Sequence, residues 1–286
     1  MAYLKGVLTL EYSLKRVGSA YPLVVLYTDT FPPEGHSVLD ARGIAKKRVP
    51  YLVPTLQTDY SNDPRFYDCW TKLTPFSLVE YDRVVQLDAD MLVMQNMDEL
   101  MDVQLGEHVF AATHACACNP LKKAHYPRDW VPENCAYTTQ HSSPDTAQTH
   151  GAPSTAGISM PNGGLQVVDP SATTYQAILH ALESSTAESY AFADQSLLGD
   201  VFRGRWLSLP YVYNALKTLR WAGVHDAIWR DERVKNMHYG LSPKPWDETE
   251  EMRAIRDERS APNDWWWEVN DERIANDELH GITDSW

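Results

Sequence analysis

Cysteine is scarce in this sequence, with four in 286 residues. That is too few for a disulfide scaffold and leads us to expect reduced thiols in the cytoplasm. Basic residues are also short: 25 Lys and Arg stand against 39 Asp and Glu, a formal net charge of −14. A nucleic-acid backbone needs a basic face, so that partner is excluded. An anionic substrate must then be held locally, by a metal or by a few lysines. No apolar run is long enough to span a membrane. No basic-then-apolar signal segment follows Met1, and no internal repeat is visible. What is present suits a globular enzyme of one large domain, or at most two: 43% hydrophobic and 22% charged residues. Tryptophan, at 10 residues, suits carbohydrate contact, although aromatics more often fill cores.

The chain reads as alternating helices and strands. Residues 2–17 place Leu4, Val7, Leu8, Leu14 and Val17 on one helical stripe that Gly18 ends. Leu23–Tyr27 is a short strand, and Val38–Lys47 reads as a helix with a basic end, followed by a strand near Tyr51–Val53. Cys69–Tyr81 has helical spacing interrupted by Pro75. Val84, Val85 and Leu87 make a buried strand, and further strands are expected at His108–Thr113, Leu165–Val168 and Val234–His238. This pattern predicts an α/β fold with a mostly parallel central sheet flanked by helices. The domain would run over residues 1–250, with an irregular insertion at about 114–156 placed as an acceptor-side lid. The charged tail, 251–286, would be strapped to it through Trp265-Trp266-Trp267.

Chemistry concentrates after the strand at residues 84–87. Asp88-Ala89-Asp90 sets two carboxylates just beyond a strand end, where open α/β sheets bind ligands. Paired hard oxygens there suit Mn²⁺, or Mg²⁺, on a substrate phosphate; the alternative is a solvated turn. His238, at another strand end, can complete such a site. Lys244, six residues on, and Lys72 can neutralise a phosphate. Asn162-Gly163-Gly164 allows close backbone approach, and Asn162, Asp194 and Gln195 offer both donors and acceptors to sugar hydroxyls. Each motif has an ordinary structural explanation when taken singly.

Taken in order, these pieces resemble glycosyltransferase family 8, the retaining group that includes glycogenin and galactinol synthase. The resemblance runs from about Tyr3 to Trp246. It is carried by Thr71-Lys72-Leu73, Tyr81-Asp82-Arg83-Val84-Val85, Leu87-Asp88-Ala89-Asp90, Asn162-Gly163-Gly164, Asp194-Gln195, Leu209-Pro210-Tyr211-Val212-Tyr213-Asn214 and Lys244-Pro245-Trp246. It implies a GT-A fold, a UDP-sugar donor such as UDP-glucose or UDP-galactose, and a Mn²⁺ cofactor. It also implies Asp88, Asp90 and His238 as metal ligands. Lys72 and Lys244 would hold the diphosphate or donor sugar, and Asn162, Asp194 and Gln195 the transferred sugar. Asp194, Gln195 and Lys244 are the expected catalytic groups, with Asp194 orienting and stabilising rather than bonding. Ala89, Gly163 and Gly164 complete the expected donor-binding set.

Two departures shape the expectation. The family's first strand, which ends in a turn contacting uracil, does not precede Tyr3. Tyr3 is then the one base-stacking candidate from that segment, and nucleotide binding is expected to be weakened. No tyrosine lies between Asn214 and His238, unlike self-glucosylating members, while Cys116-Ala117-Cys118, Tyr126 and Cys135 look more like the galactinol synthase branch. The expected activity is transfer of a hexose to a small carbohydrate or polyol. The alternatives are a catalytically weak sugar-nucleotide-binding protein and a metal-dependent nucleotide-sugar hydrolase. A homodimer is left open. Cys116, Cys118 and Cys135, with His114 or His125, form either a zinc site or a loop packed by small thiols.

Overall fold

The computed structural model describes residues 2–56, 58–184 and 189–283, so the last residues of the tail, 284–286, lie outside it. Helix α1 (Leu4–Arg16) is followed by strand β1 (Val24–Tyr27), helix α2 (Pro33–Ala41) and strand β2 (Ala45–Arg48). Strands β3 (Val84–Leu87) and β4 (Met91–Val93) lie on either side of Asp88-Ala89-Asp90. Strands β5 (Phe110–His114) and β6 (Pro161–Val168) flank the long connection. Then come α3 (Ala172–Glu183), α4 (Ala193–Val201), β7 (Leu207–Ser208), β8 (Ala215–Leu216), β9 (Asn236–His238), α5 (Glu250–Ala254) and α6 (Pro262–Leu279).

The α/β class stands, but the expected mostly parallel sheet is corrected to a mixed one. The central sheet has the order β3-β6-β5-β7. Strand β6 runs antiparallel to both β3 and β5, while β5 and β7 are parallel. Three strands therefore point one way and β6 alone is reversed. The cause lies in the connection. His114 at the end of β5 pairs with Pro161 at the start of β6, so the long segment between them leaves and re-enters at the same sheet end. A helical crossover would have restored the parallel direction; this oversized hairpin reverses it.

The basic stretch expected to end a helix is instead β2. Gly43 takes φ +62° and Ile44 N–H bonds Leu39 O at 3.0 Å, which stops α2 at Ala41. Lys46, Lys47 and Arg48 then lie on a strand paired only with β1, where charge suits an edge. The segment Tyr51–Val53 forms no strand. The helix expected over Cys69–Tyr81 is a 3₁₀ helix, Cys69–Ser77, with Pro75 inside it.

Residues 115–160 contain short 3₁₀ turns, but they are not a loose flap. Ala117, Cys135, Tyr137 and Ala147 are buried, and they share a core with Tyr211, Ile228 and Tyr239. In α6, Trp266 is fully buried while Trp265 and Trp267 are partly covered. The helix packs along α1, where Thr9 Oγ1 donates to Asn270 Oδ1 at 3.0 Å and Arg16 reaches Glu268 and Glu272. The Trp266 ring lies 5.5 Å from Trp246, and Trp246 in turn meets Tyr3 edge-on at 5.7 Å. The tail thereby buttresses the segment that carries Lys244. No helix among the described residues is long and apolar enough to cross a membrane.

Candidate active site

Asp88 and Asp90 straddle two sheets. The first ends β3, where Asp88 N–H bonds Gly164 O at 2.8 Å; the second starts β4. Strand β4 pairs antiparallel with β9, in a register that sets Met91 opposite His238. Tyr239 N–H bonds Asp90 O at 2.9 Å and closes the link. A strand pairing thus brings the late imidazole to the early carboxylates. His238 Nε2 lies 3.4 Å from Asp90 Oδ1 and 3.8 Å from Asp88 Oδ2. One ligand atom from each of Asp88, Asp90 and His238 falls within 4.8 Å of the others.

The ring's tautomer follows from its other nitrogen. His238 Nδ1 is 2.7 Å from Asn214 Oδ1, which can only accept, so Nδ1 carries the proton. Asn214 is oriented in turn: its Nδ2 donates to Asn162 Oδ1 at 2.8 Å, and that oxygen also accepts from Gly164 N–H at 3.0 Å. The Nε2 lone pair is therefore turned toward two carboxylates. This arrangement repels itself unless a proton or cation lies between the groups. A metal-ligating imidazole held by a neighbour on its far nitrogen has the same arrangement. The donor set of two carboxylate oxygens and one imidazole fits Mn²⁺ or Mg²⁺.

Both expected lysines reach the aspartates. Lys72 Nζ bonds Asp88 Oδ2 at 2.6 Å, and Lys244 Nζ bonds Asp90 Oδ2 at 2.5 Å and Tyr239 O at 2.7 Å. Lys244 is only 3% exposed. Burial lowers its pKa against the opposing pull of Asp90. Burial would raise the Asp90 carboxyl, but a proton lying between it and the facing His238 ring, together with the Lys244 ammonium, outweighs burial and holds Asp90 well below the usual range. Lys244 occupies Oδ2 and leaves Oδ1 facing His238.

A cavity of about 460 Å³ opens over this cluster, within the range of small-ligand sites. Tyr3, Lys72, Asp88, Ala89, Asp90, Asn162, Gln195 and His238 line it, together with Arg65, Lys123 and Lys217. On a chain of net charge −14 this is a local gathering of cations. Leu121, Tyr126, Trp130, Phe192 and Leu216 add an apolar part to the lining. Gly163, Gly164, Asp194 and Lys244 stand behind the lining rather than on it. A side chain on Gly164 would meet His238 Cε1 at 2.5 Å, and one on Gly163 would overlap Asp194. The room these glycines leave is filled by protein, where the sequence had led us to expect a ligand.

Asp194 sits in the first turn of α4, behind Ala193, whose φ of +42° is a conformation an alanine adopts only at a cost. Asp194 is 2% exposed and its Oδ2 has no hydrogen-bond partner among the described residues. Burial pushes its pKa up to about 7, with Lys72 pulling down and Asp88 adding to the rise. Neighbouring Gln195 accepts from Gly163 N–H at 2.9 Å. Sequence reasoning assigned no role to Asn214, Arg65 or Gly6. Asn214 had a usable signal, a lone amide among aromatic and apolar residues, and buried amides require partners. Arg65 donates to Gly240 O at 3.0 Å, and any side chain on Gly6 would overlap Ala89 O and the Trp246 ring.

The sequence profile of glycosyl transferase family 8 matches residues 1–250. Galactinol synthase 1 of Ajuga reptans is 32% identical, with 98% of this chain and 82% of that protein covered. Galactinol synthase 4 of Arabidopsis thaliana is 30% identical, over 95% and 79%. Among solved structures, the glycosyltransferase GlyE of Streptococcus pneumoniae superposes with a TM-score of 0.58 at 18% identity, over 100% of this chain and 63% of that one. The galactosyltransferase LgtC, in complex with donor and acceptor sugar analogues, does so with a TM-score of 0.56 at 15% identity, over 94% and 92%. These likenesses at low identity establish the fold, which is GT-A. With the profile spanning most of its length and relatives at this level of identity, the chain belongs to glycosyl transferase family 8.

Proposed function

We propose that this glycosyltransferase moves a hexose, with retention, from a UDP-sugar to a small carbohydrate or polyol, in the manner of a galactinol synthase rather than of glycogenin. The observation that carries the reading is the convergence of Asp88, Asp90 and His238, with the imidazole lone pair held toward the carboxylates by Asn214. When held there, a divalent cation supplies neutralisation of the charge that builds on the diphosphate leaving oxygen. Lys72 and Lys244 balance the two aspartates and bring fixed positive charge to the same place. Asn162 and Gln195, both on the cavity wall, orient the sugar hydroxyls. Tyr3 offers a ring to the base, and the Trp130 and Phe192 wall keeps water from the reacting carbon. Asp194 lies too deep to bond to that carbon, which favours same-face attack with the carboxylate as a stabilising charge.

The test is UDP release from UDP-galactose and UDP-glucose across a panel of polyols and free sugars. Release is expected to require both Mn²⁺ and an acceptor. Release without acceptor would replace transfer by hydrolysis, and no release with any acceptor would leave a binding protein. A second prediction concerns the ring's anchor. Asn214→Ala is expected to weaken Mn²⁺ binding about 10- to 100-fold while the fold is kept, as judged by calorimetric titration and circular dichroism. Unchanged affinity would mean that His238 is oriented without the amide.

A further inference from the structure

A second set of metal-type ligands lies outside the acidic cluster. Cys116, Cys118, Cys135 and His225 bring one ligand atom each within 4.8 Å of all the others. His225 Nε2 is 3.1 Å from Cys118 Sγ and 3.3 Å from Cys135 Sγ. In a tetrahedral zinc site with bonds of about 2.0–2.3 Å, ligand atoms lie about 3.5–3.8 Å apart. The two distances to His225 fall short of that separation by only a few tenths of an ångström, and every other pair lies within 4.8 Å. All four cysteines are free thiols, and both Cys135 and His225 are buried.

The local structure explains the convergence. Cys116 and Cys118 follow β5 at i and i+2, a spacing that puts both thiols on one side of extended chain. Cys135 sits between two 3₁₀ turns, Pro132–Asn134 and Ala136–Gln140. His225 comes from a distant part of the chain, 90 residues beyond Cys135. Its second nitrogen, Nδ1, lies 2.9 Å from His141 Nε2, so a hydrogen bond on the far side orients the ring with Nε2 toward the thiols. Neither histidine considered from the sequence takes part. His114 Nε2 is held between Ala152 O and Pro153 O, both at 3.1 Å, and His125 is exposed against Tyr126.

We propose that Cys116, Cys118, Cys135 and His225 bind one structural Zn²⁺ that ties the 115–160 segment to the chain around residue 225. Three thiolates and an imidazole form a soft, closed set that suits zinc. The hard Asp88, Asp90 and His238 set does not compete for the same chemistry. Three thiols, one buried and two half-buried, gain little from one another, so packing alone gives them no reason to meet around one imidazole nitrogen. The ion would fix part of the cavity wall directly, because Ala115 and the ligand Cys116 both line it.

The experiment is metal analysis of the full chain purified with no added zinc and dialysed against a weak chelator. About one zinc per chain is expected, released when a mercurial modifies the thiols. Replacement by Co²⁺ should give thiolate-to-metal charge transfer and the strong visible bands of a tetrahedral site, a reading on the unmutated protein. Cys118→Ser and His225→Ala should lose the ion, and Asp88→Asn should keep it. The proposal is overturned if the chain carries no zinc even from zinc-supplemented cells. It is equally overturned if Co²⁺ shows no charge transfer, or if Asp88→Asn loses the ion while Cys118→Ser retains it.

Discussion

Asp90→Asn is expected to destabilise the fold by about 3–5 kcal/mol and to leave no measurable transferase activity. The first effect comes from Lys244. Its ammonium is 3% exposed and has two partners, Asp90 Oδ2 and Tyr239 O. Removing the carboxylate charge leaves a buried cation with one carbonyl. Lys244→Met should cost a similar amount by stranding Asp90. The double variant Asp90→Asn/Lys244→Met should cost clearly less than the two single changes added, because neither charge is then left alone. Urea unfolding of the four proteins, in buffer without divalent metal, gives the coupling directly. Strict additivity would show that the pair does not act as a unit. The sign with pH is fixed as well. The folded Asp90 pKa lies below its unfolded value. Its contribution is therefore complete above about pH 4 and fades as pH falls from there toward the folded pKa. The gap between the native chain and Asp90→Asn should narrow in acid. The activity loss has a separate origin, since Asp90 Oδ1 is one of the three atoms that face a common point.

How much of this was legible beforehand follows the reach of each interaction along the chain. Asp88 and Asp90 could be placed because an apolar run and two carboxylates adjoin in sequence, and Lys72 because its helix immediately precedes that strand. His238 was readable as a strand end, but its pairing opposite Met91 was not, since register depends on partners far apart in sequence. Asn214 stood inside a motif already singled out, yet its role rests on contacts with Asn162 and His238 that only folding creates. Residue 225 had no local mark at all: a lone histidine becomes meaningful only when Cys118 and Cys135 arrive beside it. Strand β6 was found but its direction was misjudged, because alternation of helices and strands assumes a crossover where this chain makes a hairpin. The stretch Lys46-Lys47-Arg48 was misassigned for a smaller reason. Helical spacing outvoted the single glycine, Gly43, that ends the helix.

Asp194→Asn is expected to move stability and activity in opposite directions. The carboxyl is buried, has an oxygen with no partner among the described residues, and holds its proton up to about pH 7. A carboxyl whose folded pKa lies above its unfolded value of 3.8 binds its proton more tightly in the native state. It therefore takes stability away as pH rises from about 4 to about 7, after which the loss is complete. A shift of that size amounts to about 4 kcal/mol as an upper bound. Asparagine carries no charge to bury. In metal-free buffer the variant should match the native chain near pH 4 and melt at a higher temperature by pH 8. The same change should lower kcat by about 10²–10³, because a fixed charge near the developing oxocarbenium is lost where little water screens it. The native kcat/KM should rise as pH passes through about 7, tracking ionisation of the group, and that limb should vanish in the variant. A gain in melting temperature without a loss of rate would reduce Asp194 to a packing residue. A trapped glycosyl adduct on Asp194 would make it the nucleophile, and its 2% exposure would then describe a state that opens before reaction.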